Sequence, residues 1–270
     1  MERSLGLMAG AGVLPGRAAA EARRQGWRVV AFAFEEAPGL EEHADAVIPS
    51  SITDLQTVVT QLFAHQVTAT LFVGKFSKQR VLDAAQADEA DDTARRVAER
   101  GLSDASLSDT VAAMLDGMGM KVLDQRQFLS PWIAEAGILS ARTPSDEERR
   151  QIREGMRLAR GLAGDGIGQT IVRFRGVTVA VEAAEGTDET IRRGTRLAGP
   201  GAVVIKAVAQ AHDYRFDIPT VGAGTIEVLA RGGASALALE AGKILLLDRE
   251  EVVRRADRAA IAVVSIGDED

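Results

Sequence analysis

Cysteine is absent from all 270 residues. That absence excludes disulfides, zinc thiolates, iron–sulfur clusters and a cysteine nucleophile, and it agrees with a reducing compartment. Histidine is nearly absent: His43, His65 and His212 are scattered without ligand spacing, which argues against a histidine metal site or a serine–histidine triad. His65, beside Gln66, reads as the end of a helix instead. An excess of positive charge is missing too. The formal charge is -7, whereas a nucleic-acid binder carries a basic face to neutralise phosphates. No stretch approaches the ~20 apolar residues that span a bilayer, and the start lacks the basic and continuous apolar parts of a signal peptide. A soluble, cytoplasmic protein is expected, with membrane contact only at the surface.

What is present is an ordinary globular balance, 46% hydrophobic and 26% charged, in a chain long enough for two modest domains. Apolar runs at 5–9, 28–34, 45–48, 70–73 and 121–124 read as strands. Helical patterns at 17–25, 55–63 and 108–118 alternate with them, and two polar helices are expected after Lys75. Thr53 and Asp54 are N-cap candidates for the second of the three. Such alternation predicts a parallel, Rossmann-like sheet. The pattern lapses between Ala134 and Pro144, and Ser145 with Glu148 then matches a capping box. A boundary is placed there, giving domains 1–136 and 137–270. The second half reads as a further α/β unit: a hairpin of 170–174 and 177–181, helices at 187–197, 225–231 and 250–258, and strands at 202–206 and 261–266. Leu237 and Leu239 with 244–247 suggest one more strand pair. No internal repeat or low-complexity tract interrupts this, and the paired arginines mostly read as solvated helix faces.

Three places carry candidate chemistry. Gly10-Ala11-Gly12 follows a strand, as in a phosphate-binding turn, but Pro15 stands where a dinucleotide fingerprint needs its third glycine. The turn reads equally as a phosphate contact or a plain tight turn. Glu182, Glu185, Thr187 and Asp188 leave a strand and enter a helix. Thr187 and Asp188 suit a helix start, while the clustered carboxylates suit a hard, oxygen-seeking cation such as Mg²⁺ or Mn²⁺. Lastly, Asp213-Tyr-Arg215-Phe-Asp217-Ile-Pro-Thr220-Val-Gly222 reads as an extended segment. Asp213, Arg215 and Asp217 then share one face, with the aspartates roughly 13 Å apart at ~3.3 Å per residue. That face either lines a diphosphate or is a surface strand with a local charge pair. Of only five lysines, Lys75 and Lys206 stand at predicted strand ends, where α/β ligand sites form.

Several of these stretches carry a resemblance that covers nearly the whole chain in order. Residues 5–15 (LGLMAGAGVLP), 73–77 (VGKFS), 102–105 (LSDA), 165–169 (DGIGQ), 181–188 (VEAAEGTD) and 215–222 (RFDIPTVG) resemble the bacterial UDP-2,3-diacylglucosamine pyrophosphatases of lipid A synthesis. The resemblance implies a Rossmann-like N-terminal domain, a distinct α/β C-terminal domain, and hydrolysis of a diphosphate to UMP and 2,3-diacylglucosamine 1-phosphate. It further implies a divalent cation, Mg²⁺ or Mn²⁺, and water attacking the α-phosphorus. In these terms Asp217 is the catalytic aspartate, with Arg215, Lys206 and Asp188 beside it. Gly10, Gly12, Lys75, Gln169, Thr187, Asp213 and Thr220 are the expected substrate contacts, and Glu182, Glu185, Asp188 and Asp217 the expected metal ligands. The expected partners are the UDP-linked acylated sugar and, transiently, the inner face of the inner membrane, with no nucleic acid and with a homodimer left open. The chain departs from the family at Ala209, Gln210 and His212, where lysine, proline and glutamine are common. Two other readings are open: a nicotinamide oxidoreductase built on Gly10, Gly12 and Glu35, and a non-catalytic carrier of a uridine-linked lipid.

Overall fold

A computed structural model describes residues 3–76 and 104–267. The expected polar helices after Lys75, Ser77, Arg95-Arg96, and Leu102-Ser103 fall outside the described residues. The chain divides into two compact units. The first comprises Met1–Ser130 with Asp213–Asp217, and the second comprises Pro131–His212 with Ile218–Asp270.

In the first unit, β1 (Ser4–Ala9), β2 (Arg28–Ala33), β3 (Ala46–Pro49), β4 (Ala69–Val73) and β5 (Lys121–Val122) form one sheet. Its order is β3-β2-β1-β4-β5, and every neighbouring pair is parallel. The order switches direction at β1, so the ends of β1 and β4 flank the crevice where such sheets hold ligands. The central strands β1, β2 and β4 are largely buried on both faces and read as apolar runs, as parallel sheets require. The helices are α1 (Leu14–Arg24), α2 (Leu40–His43), α3 (Leu55–Ala64), α4 (Asp104–Gly117) and α5 (Arg126–Leu129). Helix α1 starts three residues before its expected position because Pro15 sits in its first turn, where a missing N–H costs nothing. Asp54 is the N-cap of α3, accepting from the Thr57 amide, and His65 is its C-cap.

The second unit holds a six-stranded mixed sheet in the order β6-β13-β11-β9-β7-β8. The strands are β6 (Gly137–Ile138), β7 (Thr170–Phe174), β8 (Val177–Val181), β9 (Val203–Lys206), β11 (Ala236–Glu240) and β13 (Ala262–Ile266). Strands β9, β11 and β13 are parallel, while β7 and β8 form the expected antiparallel hairpin. Helices α6 (Asp146–Gly164), α7 (Thr187–Ala198), α8 (Ala223–Gly232) and α9 (Arg249–Arg258) complete the unit. One apolar cluster, with Val172, Ile191, Val204, Leu229, Leu237 and Val263, fills one side of the sheet. A second, with Ile152, Met156, Ile171, Ile205 and Ala238, fills the other beneath α6. Ser145 and Glu148 form the capping box: the Ser145 hydroxyl accepts from the Glu148 amide at 3.3 Å, and the Glu148 carboxylate accepts from the Ser145 amide at 2.7 Å.

One expectation is corrected. The apolar runs around Leu237 and Leu245 do not pair with each other. The first is β11 of the large sheet, and β12 (Leu245–Leu246) pairs instead with β10 (Thr220–Val221). The division between the compact units falls after Ser130, and the first unit takes in Asp213–Asp217 as well. Ile133 bridges Leu245, the Ala134 amide bonds to the Ile244 carbonyl, and β6 pairs with β13, so the chain after Ser130 is already committed to the second unit.

Candidate active site

In the second unit, four chain segments bring polar side chains to one end of an otherwise apolar sheet. Lys206 is the last residue of β9, Thr170 the first of β7, Glu182 follows β8, and Glu240 closes β11. Because β8, β9 and β11 run the same way and β7 runs against them, all four lie at the same edge, the carboxyl end of the parallel strands. Lys206 is 6% exposed. Its Nζ donates to Thr187 Oγ1 at 2.9 Å, and Thr187 donates onward to Glu182 Oε1 at 2.8 Å. A lysine ammonium can only donate, so the Thr187 proton is directed to the carboxylate and the chain has one polarity. Thr170 Oγ1 lies 3.4 Å from Thr187 Oγ1. The second carboxylate oxygen of Glu182, Oε2, is buried and has no hydrogen-bond partner. An orphaned anionic oxygen beside a buried cation is costly unless a ligand completes it.

Backbone approach explains the neighbouring motif. A Cβ on Gly168 would lie 2.1 Å from the Glu182 carbonyl oxygen, so no larger residue fits in Asp165-Gly-Ile-Gly-Gln169 at that point. The Gln169 carbonyl accepts from the Ala207 amide at 2.9 Å. Asp188 is exposed in the first turn of α7, where a negative charge favours the helix dipole. Glu185 is held by Arg193 at 2.5 Å, which keeps its carboxyl below the usual carboxylate range. Thr220 Oγ1 bonds to the Ile218 carbonyl at 3.0 Å.

The segment 213–217 belongs to the first unit and is a turn rather than an extended strand. Asp213 captures both the Arg215 amide, at 3.0 Å, and the Arg215 guanidinium, at 2.8 and 2.9 Å, so the two side chains face each other. A short acid bonding two residues along its own chain competes with the extended form. Asp213 pushes the Arg215 pKa further up, and Asp109 lies 3.7 Å from the same guanidinium. Tyr214 is buried beneath the Arg126 guanidinium at 4.0 Å, with its carbonyl accepting from the Gln125 amide. Phe216 packs on Phe72 with ring centroids 5.0 Å apart. Asp217 is exposed and follows directly. Arg215 also lines an open cleft of about 470 Å³ with Asp109, Asp116, Lys121 and Val122.

The glycine turn of the first unit is spent on the backbone. The Gly10 amide donates to Val73 O, Ala11 and Lys75 exchange two bonds, and the Gly12 amide donates to Glu36 O. A Cβ on Gly10 would lie 2.9 Å from the Lys75 carbonyl carbon. The N–H groups of Gly10 and Gly12 are thus taken by backbone carbonyls of neighbouring strand ends and turns. Lys75 is exposed at the same place.

Among the described residues no group of three or more His, Asp or Glu side chains is arranged to hold a metal ion. The expected set of Glu182, Glu185, Asp188 and Asp217 is not among such groups: Glu185 is drawn to Arg193 and Glu182 to Thr187. Mg²⁺ at phosphate sites needs only one or two carboxylates, with substrate oxygens and water supplying the rest. The orphaned Glu182 Oε2 fits that smaller demand. Glu240 was missed in the sequence. Its signal is a carboxylate closing an apolar strand, ahead of Gly242-Lys243.

These features define a class: a two-unit α/β protein whose second unit gathers a buried lysine and orphaned carboxylate oxygen at the carboxyl ends of its strands. Comparison with known proteins narrows it. The LpxI N-terminal domain matches residues 4–132 and the LpxI C-terminal domain matches residues 135–264. The chain belongs to the LpxI family. It is 28% identical over 279 aligned positions, covering 98% of each chain, to the UDP-2,3-diacylglucosamine pyrophosphatase LpxI of Caulobacter vibrioides (strain ATCC 19089 / CIP 103742 / CB 15). Among solved structures it is similar to N5-carboxyaminoimidazole ribonucleotide synthetase from Thermotoga maritima, at 14% identity and a TM-score of 0.27, over 68% of this chain and 42% of that one. It is similar also to N5-carboxyaminoimidazole synthetase from Staphylococcus aureus, at 12% identity and a TM-score of 0.27, over 72% of this chain and 45% of that one. The chain spans less than half the length of those structures, and likeness at that level carries no argument.

Proposed function

We propose that this chain hydrolyses the diphosphate of UDP-2,3-diacylglucosamine to UMP and 2,3-diacylglucosamine 1-phosphate. The observation that carries the reading is the end-to-end match: both halves of the chain fit the family, and the Caulobacter pyrophosphatase aligns over 98% of both chains. The strand-end cluster supports it physically, since a buried ammonium with a fixed hydrogen-bond chain is suited to a charged phosphoryl group. In this reading water adds to the α-phosphorus, Asp217 orients it and takes its proton, and the bond to the sugar 1-phosphate breaks. Lys206, Arg215 and Lys75 offset the diphosphate charge, with Arg215 exchanging its Asp213 partner for phosphoryl oxygens. Asp213, Thr220 and Gln169 contact the substrate, and Thr187 orients Lys206 as well as the ligand.

Glu182, with its unpartnered oxygen, and Asp188 would hold a divalent cation together with substrate oxygens. Such a cation supplies charge neutralisation and a more acidic water. The acyl chains of the substrate bring the protein transiently to a membrane surface, and no helix of the described residues is long and apolar enough to cross one.

The test is incubation of purified protein with UDP-diacylglucosamine and Mg²⁺ or Mn²⁺, followed by chromatography for UMP. UMP release that stops with EDTA and returns with added cation is expected. Undiminished release in chelator removes the metal, and tight lipid binding without UMP makes the chain a carrier.

A further inference from the structure

Strand β9 leaves its sheet one residue before its neighbour does. Lys206 is the last β9 residue opposite β11, facing Leu239, whereas β11 continues to Glu240, which pairs with Ile266 of β13. Beyond Lys206 the chain must turn out of the sheet, yet Ala207 and Val208 are fully buried and their amides cannot turn to water. On one side the Ala207 amide is taken by the Gln169 carbonyl. On the other, where the ladder has ended, the Glu240 side chain replaces it: Oε2 accepts from the Val208 amide at 2.9 Å.

Glu240 is 1% exposed, so its charge must be compensated. Its other oxygen meets two cations. Oε1 accepts from Arg160 Nε of α6 at 2.8 Å and from Lys243 Nζ at 2.6 Å. One oxygen thus carries the two cations and the other the backbone. A neutral carbonyl could also accept from Val208, but a carboxylate makes a stronger, charge-assisted hold at a fixed point.

We propose that Glu240 is a positioning residue: through the Val208 amide it fixes the exit of β9, and with it the direction in which Lys206 is presented. This rests on the reading of Lys206 given above, and it assigns Glu240 no contact with substrate.

The decisive variant is Glu240→Asp. It keeps the charge for Arg160 and Lys243 but withdraws the carboxylate by about 1.5 Å, one bond length, from Val208. The expected result is a kcat lower by about ten-fold or more with KM within about three-fold, as small misplacements of reacting groups produce. Exchange of the Val208 amide should quicken by about ten-fold while amides of β11 and β13 keep their protection. Glu240→Gln has one acceptor oxygen, which the two cations take, so its amide donor is turned toward the Val208 N–H; it should show the same kcat loss with a lower Tm. Arg160→Gln is the control: it lowers Tm and leaves Glu240 on Val208, so kcat should stay within about two-fold. Unchanged kcat in Glu240→Asp, unchanged Val208 exchange, or a kcat loss in Arg160→Gln equal to that in Glu240→Asp would each overturn the proposal. If Lys206→Ala proves fully active, the catalytic reading of Lys206 fails by itself, and the Val208 exchange still decides whether the clamp exists.

Discussion

The ends of the two sheets solve different problems with different residues. At the ends of β1 and β4 in the first unit, Gly10 and Gly74 let two backbones approach until their amides and carbonyls satisfy each other. At the ends of β8, β9 and β11 in the second unit, side chains do the work: Glu182, Thr187, Lys206 and Glu240 are linked by bonds of 2.6 to 2.9 Å to hydroxyls, cations or amides. A glycine pair after a strand is therefore weak evidence for a ligand, because backbone can fill the space it opens. A buried lysine is stronger evidence, because nothing but polar partners can keep it there.

Each substitution below presses on that contrast. Asp217→Asn keeps shape and removes charge, and it should lower turnover by at least about 10²-fold with unchanged melting, the low end of what a positioned acid–base group supplies. Near-normal turnover would move the catalytic carboxylate out of the 213–217 turn and make Asp188 of the second unit the candidate. Lys206→Ala and Arg215→Ala should each cost about ten-fold or more in turnover, ~1.4 kcal/mol per decade. A loss confined to Lys206 would assign the cationic work to the strand ends of the second unit alone, with Arg215 serving only Asp213. Gly10→Ala addresses the other side of the contrast. It should destabilise by about 1–3 kcal/mol in urea titration, through overpacking against Lys75, and leave KM of the folded protein unchanged. A raised KM at full stability would return that turn to the binding site.

Much of the layout was legible because it is local. The hairpin of β7 and β8 follows from two alternating runs around Arg175-Gly176, and the capping box from Ser145 and Glu148 three residues apart. Partner choice was not legible. Nothing near Leu245 says that it pairs with Thr220 rather than with β11, since that depends on chain packed from elsewhere. The turn at 213–217 was misread because period-two alternation of Asp, Arg and Asp was weighed without the habit of aspartate to bond its own backbone. Lys206 was expected at a strand end, and it closes β9. Its dependence on Thr187 and the clamp at Glu240 needed four strands in register.

The interrupted first unit has a consequence for recombination. Five residues, Asp213–Asp217, fold with the first unit but are encoded in the middle of the second. A cut at residue 130 yields a front half without the aromatic that covers Phe72 and a back half with an unanchored turn. Exchange of halves between relatives must therefore carry this segment with the front half's lineage, or match Phe216 to the incoming Phe72. In such chimaeras the natural unit of inheritance is a discontinuous one, and a junction drawn only from the linear order separates Phe216 from the ring it packs on.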